Sequence, residues 1–280
     1  MNSLINGRPS EQIRADDRGL AYGDGLFETI EVDQGRLVYW QRHLDRLTNG
    51  CSRLSIPIPD RSQLLAEAKQ LLQANNSGVL KITITRGTGG RGYSHPNPSL
   101  PTRLITFHAQ PDYPPAYQTQ GVCLKVCSSR LGINPQLAGL KHLNRLEQVI
   151  ARAELDSPKQ QEGLMLDYEG HPVEGIMSNL FWVSSGEIFT PDLGLCGVSG
   201  VIREIVIELA EKSGIPCRIG RFTIDHLLAS DEVFVTNSLI GIWPVHDLDD
   251  HLFSIGEVTL FLLKQLNKDK KKNLEIANEK

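Results

Sequence analysis

The sequence predicts a two-domain α+β protein, on three observations. Hydrophobic patterning switches repeatedly between the two-residue period of strands and the 3.6-residue period of helices. Composition breaks sharply to Pro, Tyr and Gln in "PDYPPAYQTQG", residues 111–121. A chain of 280 residues also carries about two domains' worth of core. The parse is a smaller N-terminal α/β domain over 1–110, a linker over 111–121, and a larger C-terminal domain over 122–280. There is no internal repeat.

Taken in order, "LINGRP" reads as a hairpin and "LFETIEVDQGRLVYW" as two strands around a Gly turn. "QRHLDRLTNGCSRL" is helical, with Leu44, Leu47, Cys51 and Leu54 on one face. "RSQLLAEAKQLLQANN" is a second helix, stopped by the Asn and Gly of 75–78. The strands "VLKITITR" and "TRLITFHAQ" complete the first half. Beyond the linker come the strand "GVCLKVCSS", a helix over 138–155, and the strands "GLMLDYEG", "NLFWVSSG" and "EIFTP". The Gly-punctuated loop "DLGLCGVSG" feeds the helix "VIREIVIELAEKSG". "PCRIGRFT", a helix "IDHLLAS", the strand "EVFVTNS" and a terminal helix close the chain.

The bulk chemistry is that of an ordinary globular protein, 40% hydrophobic and 22% charged. A net charge of −4 gives no electrostatic case for nucleic acid or an anionic membrane. The one strongly basic run, "KDKKKN", reads as a solvated helix end or tail. No apolar leader opens the sequence and no window of 18 apolar residues occurs, so a soluble, cytoplasmic protein is expected. Five cysteines fit reduced thiols. Cys123 and Cys127 would stand about 13 Å apart on a strand at roughly 3.3 Å per residue, beyond disulfide reach. No His/Cys/carboxylate set has metal-site spacing, so no metal is expected.

Several residues carry potential chemistry, each with an ordinary structural alternative. In "AGLKHLNRLEQVIARAEL", Leu140, Leu143, Leu146, Ile150 and Ala153 predict one buried helical stripe, with Lys141 beside it in the first turn. Lys141 is either surface or a lysine whose desolvation leaves a neutral, nucleophilic amine. "GTGGRG" (87–92) matches a dinucleotide fingerprint, but the three prolines of "YSHPNPSLP" forbid the helix that fingerprint requires. What remains is a mobile loop with Arg91 at its tip, a solubilising arginine or a carboxylate clamp. "GVSGVIRE" is an ordinary loop-to-helix junction or an anion seat. Glu174, just before a Gly and near Asn179, is a solvated turn carboxylate or a site residue. Arg42 and Arg46 lie on the polar face of their helix.

Together these segments resemble a known family. "YGDGLFETI", "RHLDRL", "TRGTGGRGY", "GLKHLNRLEQV", "VEGIMSNLFWV" and "GVSGVIRE" follow the order seen in fold-type IV pyridoxal-phosphate (PLP) enzymes, which are D-amino acid aminotransferase-like. The resemblance spans residues 4 to 245, and "GGRGYS" and "LAGLKHLNRLEQV" resemble the aminodeoxychorismate lyase branch. It implies that the C-terminal domain binds pyridoxal 5'-phosphate and that Lys141 bonds covalently to that cofactor. By the same resemblance Glu174 faces the pyridine nitrogen, and Arg46, the backbone of Val201 and Ile202, and Asn237 and Ser238 cradle the phosphate.

Arg91 matches an arginine that binds substrate carboxylate, on a loop that the D-amino acid transaminases borrow from a partner subunit. Tyr93 stands where those transaminases carry a histidine, which favours the lyase branch. Thr29 matches a lyase threonine that handles a proton near the leaving pyruvyl group. The implied activity is conversion of 4-amino-4-deoxychorismate to 4-aminobenzoate and pyruvate for folate synthesis, by a homodimer. The alternatives are a D-amino acid or branched-chain type aminotransferase, and a binding protein that has lost its chemistry; the presence of Lys141 and Glu174 speaks against the last.

Overall fold

The computed structural model describes residues 2–73 and 75–276; the expected reach of the second domain to residue 280 runs past them. The chain divides into two compact units. One comprises Met1–Pro111, Leu140–Asn144 and the C-terminal end from Lys272; the other comprises Asp112–Gly139 and Arg145–Lys271.

The first unit contains β1 (Ser3–Ile5), β2 (Arg8–Pro9), α1 (Arg18–Tyr22), β3 (Gly25–Asp33), β4 (Arg36–Leu37), α2 (Trp40–Arg53), α3 (Arg61–Leu72), β5 (Gly78–Thr85) and β6 (Thr102–His108). Its strands form an antiparallel sheet in the order β2-β1-β6-β5-β3-β4. Alternation on β3 sends Leu26, Ile30 and Val32 into the core, where α2 brings Leu44, Leu47 and Cys51. Leu54 of the expected stripe is only half-buried because α2 ends at it. Asp60 caps α3 by accepting from the Ser62 and Gln63 N–H groups. The fully buried Asp17 caps α1 and also accepts from the Thr85 and Thr102 hydroxyls, tying the helix to β5 and β6.

The second unit contains α4 (Ala116–Thr119), β7 (Val122–Leu131), α5 (Leu146–Ala153), β8 (Gln160–Asp167), β9 (Pro172–Gly175), β10 (Asn179–Ser184), β11 (Glu187–Pro191), α6 (Val201–Lys212), β12 (Cys217–Gly220), α7 (Ile224–Leu228), β13 (Glu232–Asn237), β14 (Gly241–Leu248), β15 (His251–Leu252) and most of α8 (Glu257–Ile276). Its sheet runs β12-β11-β10-β13-β14-β7-β8-β9, with β15 beside β14. A further β9–β10 pairing, Asn179 opposite Glu174, closes six of these strands into a barrel. Its core holds Leu124, Leu164, Leu180, Trp182, Val235 and Trp243.

Three expectations change. The 111–121 stretch is not a bare linker: it carries α4, and Tyr113 and Tyr117 set their rings edge-on to Trp243 at 4.8 and 5.1 Å. The sequence reading also missed β14, which contains Pro244. That proline sits one residue before a bulge that shifts the β14–β7 register between Val245 and Asp247.

The helix expected over 138–155 is only Leu146–Ala153. Residues 141–143 are extended instead, because the Phe27 N–H donates to the Lys141 carbonyl and the Leu143 N–H donates to the Gly25 carbonyl. Leu140 is buried, whereas Leu146 and Ile150 of the expected stripe are 75% and 58% exposed. All five cysteines are free thiols, as expected. Among the described residues no helix is long and apolar enough to cross a membrane, and no group of metal ligands gathers.

The sheet of the first unit rests on side chains such as Leu80, which is fully buried. Leu80→Ala is expected to cost about 2–5 kcal/mol of stability in denaturant unfolding; a loss below about 1 kcal/mol contradicts this placement of the core.

Candidate active site

In the first unit, β3 organises the chemistry. Its pairing with residues 141–143 sets the Lys141 amine 4.4 Å from the centre of the Phe27 ring. Phe27 and Thr29 share one face of β3, and Thr29 is half-buried opposite Lys81 on β5. Glu28 points to the other face, where α2 presents His43 and Arg46 one helical turn apart.

The Arg46 guanidinium grips Glu28 through two bonds, Nε to Oε1 at 2.9 Å and Nη2 to Oε2 at 2.5 Å. His43 Nδ1 lies 2.6 Å from the same Oε2. Burial alone would push the Glu28 carboxyl up, but the Arg46 charge and the bonds from His43 and Arg46 outweigh it and hold it at about 2. Burial lowers the His43 pKa, and the Arg46 and Lys141 charges act the same way against the pull of Glu28. Arg46 is thus not a solvated arginine of a polar face. Its side chain is 13% exposed and aimed by a carboxylate.

Arg91 and Tyr93 lie on the loop between β5 and β6. Both are exposed, Tyr93 at 87%, with its ring 5.6 Å from that of Tyr22. The loop is tethered where a mobile one was expected. Arg18 donates from its backbone to the Gly87 carbonyl and from its guanidinium to the Gly92 and Ser94 carbonyls.

In the second unit, Glu174 is a buried strand residue, not a solvated turn carboxylate: it is 4% exposed and accepts the Val198 N–H at 2.8 Å. Asn179 stands between Glu174 on β9 and Thr236 on β13, and its Nδ2 donates to the Val198 carbonyl. A Cβ at Gly200 would fall 1.9 Å from Asn179 Oδ1, so glycine lets this contact form. Gly200 precedes α6, whose start has no side-chain cap, and Val201 and Ile202 are its first two residues. Asn237 Oδ1 accepts from the Leu239 and Ile240 N–H groups and its Nδ2 donates to Met177, so its side chain shapes the turn that carries Ser238.

Sequence reasoning missed several supporting residues. Glu28 and His43 aim Arg46, while Glu162 accepts from Ser178 Oγ and the Met177 N–H and so holds the β9–β10 turn; burial pushes the Glu162 carboxyl up. Arg203 is a buried guanidinium in the first turn of α6, bonded to Thr190 Oγ1 and the Pro191 carbonyl. The available signal was a charged residue inside an apolar alternation, as in "LFETI".

The second unit offers a buried carboxylate and an uncapped helix start; the first offers a lysine amine against an aromatic ring and a carboxylate-aimed arginine. Glu28 gives it a pH signature. A carboxyl whose pKa is lowered on folding adds stability above its unfolded value near 4.5, and that stability is lost as pH falls toward about 2. The Glu28→Gln variant is therefore expected to be less stable than the parent at neutral pH, with the gap narrowing below about pH 4.5 in acid titrations of unfolding. A gap independent of pH removes the charge from this role.

The class IV family of amino-transferases matches this chain over residues 25–248. An aminodeoxychorismate lyase of Vibrio harveyi is 40% identical over 94% of this chain and 98% of its own length. A putative branched-chain-amino-acid aminotransferase of Methanocaldococcus jannaschii is 30% identical over 92% of this chain and 93% of its own. The crystal structure of 4-amino-4-deoxychorismate lyase from Pseudomonas aeruginosa superposes with a TM-score of 0.92 at 47% identity, covering 95% of this chain and 98% of that one. A branched-chain amino acid aminotransferase from Escherichia coli, at 23% identity and a TM-score of 0.84, shares the fold. On a family match across most of its length and relatives this similar, the chain belongs to the class IV aminotransferase family.

Proposed function

We propose that this protein is a PLP-dependent lyase that converts 4-amino-4-deoxychorismate to 4-aminobenzoate and pyruvate in folate synthesis. The observation that carries the reading is the Lys141 amine set over the Phe27 ring by a backbone-fixed strand segment. The near-full-length similarity to two proteins named for that activity supports it.

The residues fit pyridoxal 5'-phosphate. Lys141 is the amine for its aldehyde, and the buried Glu174 is the carboxylate for its pyridine nitrogen. The uncapped N–H groups of Val201 and Ile202 and the Arg46 guanidinium suit its phosphate, with Asn237 and Ser238 at the neighbouring turn. When bound, PLP supplies an electron sink for the carbon that bears the substrate amine.

The protein's own groups then handle protons and charge. Lys141 removes the proton from the ring carbon bearing the amine. The carbon–oxygen bond to the neighbouring enolpyruvyl group breaks, its electrons leave on oxygen, and the ring becomes aromatic. Thr29, on the same face of β3 as Phe27, protonates the departing enolpyruvate, which ends as pyruvate. Arg91 binds a substrate carboxylate with Tyr93 beside it. The protein works as a homodimer in the cytoplasm; the exposed apolar side chains of Leu146, Val149 and Ile150 on α5 support an interface between copies.

The test is the product balance. Purified protein given 4-amino-4-deoxychorismate without any keto acid is expected to release 4-aminobenzoate and pyruvate in equal amounts. An aminotransferase keeps the amine on its cofactor and needs an acceptor to turn over. Turnover that requires a keto acid, or D-alanine consumed far faster than aminodeoxychorismate, overturns the lyase reading.

A further inference from the structure

The loop that carries Arg91 is latched by one buried arginine on a different element. The Arg18 side chain on α1 is 5% exposed. Its Nε donates to Asp24 Oδ2 at 2.9 Å, and its Nη1 donates to the carbonyls of Gly92 at 3.0 Å and Ser94 at 3.2 Å. Those two carbonyls bracket Tyr93, and the Ser94 N–H turns back to the Arg91 carbonyl. The Arg18 guanidinium also lies 4.8 Å from the centre of the Tyr22 ring, which packs against Tyr93.

Asp24 is shared. Arg86, at the base of the same loop, holds both Asp24 oxygens at 2.7 and 3.0 Å. Arg86 also donates to the Leu54 and Ser55 carbonyls, and its own carbonyl accepts the Ser99 hydroxyl. One carboxylate thus balances two buried cations, and each cation holds a different part of the loop. Lysine cannot replace Arg18 here: a point charge does not span a carboxylate and two carbonyls as a planar fork does.

We infer that Arg18 is a positioning residue for substrate selection: it holds the turn from Arg91 to Ser94 in a preset shape, so that Arg91 meets a substrate carboxylate without ordering the loop first. The inference rests on the reading of Arg91 as the carboxylate-binding arginine. A loop shaped in advance loses less conformational entropy when the substrate binds. Relaxing it therefore weakens substrate capture and leaves the cofactor residues alone.

The experiment compares the parent, Arg18→Lys, Arg91→Ala and the double variant, each loaded with PLP. Arg18→Lys is expected to raise KM for aminodeoxychorismate by roughly tenfold, with kcat and PLP affinity within about twofold. In the Arg91→Ala background it is expected to add no further rise, because its effect runs through Arg91. Hydrogen exchange of residues 88–99, measured on the same proteins without substrate, is expected to speed up at least tenfold in Arg18→Lys.

An unchanged KM, or KM effects of the two substitutions that simply add, overturns the role in selection. Unchanged exchange overturns the latch itself. If the parent proves inactive on aminodeoxychorismate, the functional reading has failed, and the exchange measurement still decides the latch. Should Arg18→Lys not fold, Tyr22→Leu removes the ring beneath Arg18 without touching Asp24 and is read by the same outcomes.

Discussion

The two hydrogen bonds between residues 141–143 and β3 are the constraint on which the candidate active site depends. Each contributes only about 1 kcal/mol net. Their importance lies in what they fix. They convert a stretch with helical periodicity into an extended one, and they give its lysine a defined place over Phe27. An amine on the solvent side of a helix would sample many rotamers; one anchored by strand pairing starts from a single backbone position. Thr29 then falls on the same face as Phe27 because strand side chains alternate.

The first unit spends its buried charge in two clusters of similar design. Glu28 lies between Arg46 and His43, and Asp24 lies between Arg18 and Arg86. Charges taken out of water cost several kcal/mol each, and apolar residues of similar volume often stabilise as well or better. Their use here is directional. A bidentate carboxylate fixes the plane of a guanidinium, so Arg46 is aimed and the Arg91 loop is latched. Both carboxyls sit below their ordinary range although burial opposes it, because adjacent cations outweigh the desolvation. In the second unit Asn179 and Glu174 bind the backbone around Val198, and Gly200 leaves room for the amide.

Much of this was legible in the sequence where signals are local. The longer helices α2 and α3 of the first unit announce themselves by periodicity, and "GVSGVIRE" shows a Gly-rich entry into a helix. The residues Lys141, Glu174, Arg46 and Arg91 stood out only once the motifs were read together. What stayed hidden depends on distant pairing. Apolar steps of three and four over 140–153 fit one helix or a strand segment followed by a helix, and only β3, more than a hundred residues earlier, decides between them. Pro244 disguised β14, since a proline inside a paired strand is tolerated only near an irregularity such as the bulge that follows it. Arg18 carries no local mark of the Gly92 carbonyl it binds, nor Glu28 of the Arg46 guanidinium, 74 and 18 residues away.

The proposed chemistry depends most directly on the identity of one lysine. Reduction of the PLP-loaded protein with borohydride, followed by peptide mapping, reads which amine holds the cofactor. The label is expected on Lys141 alone, within the peptide that spans residues 140–144. A label on Lys81, whose amine lies 5.1 Å from the centre of the Phe27 ring, or on any other lysine, contradicts the placement of the reactive amine and with it the chemistry assigned to β3.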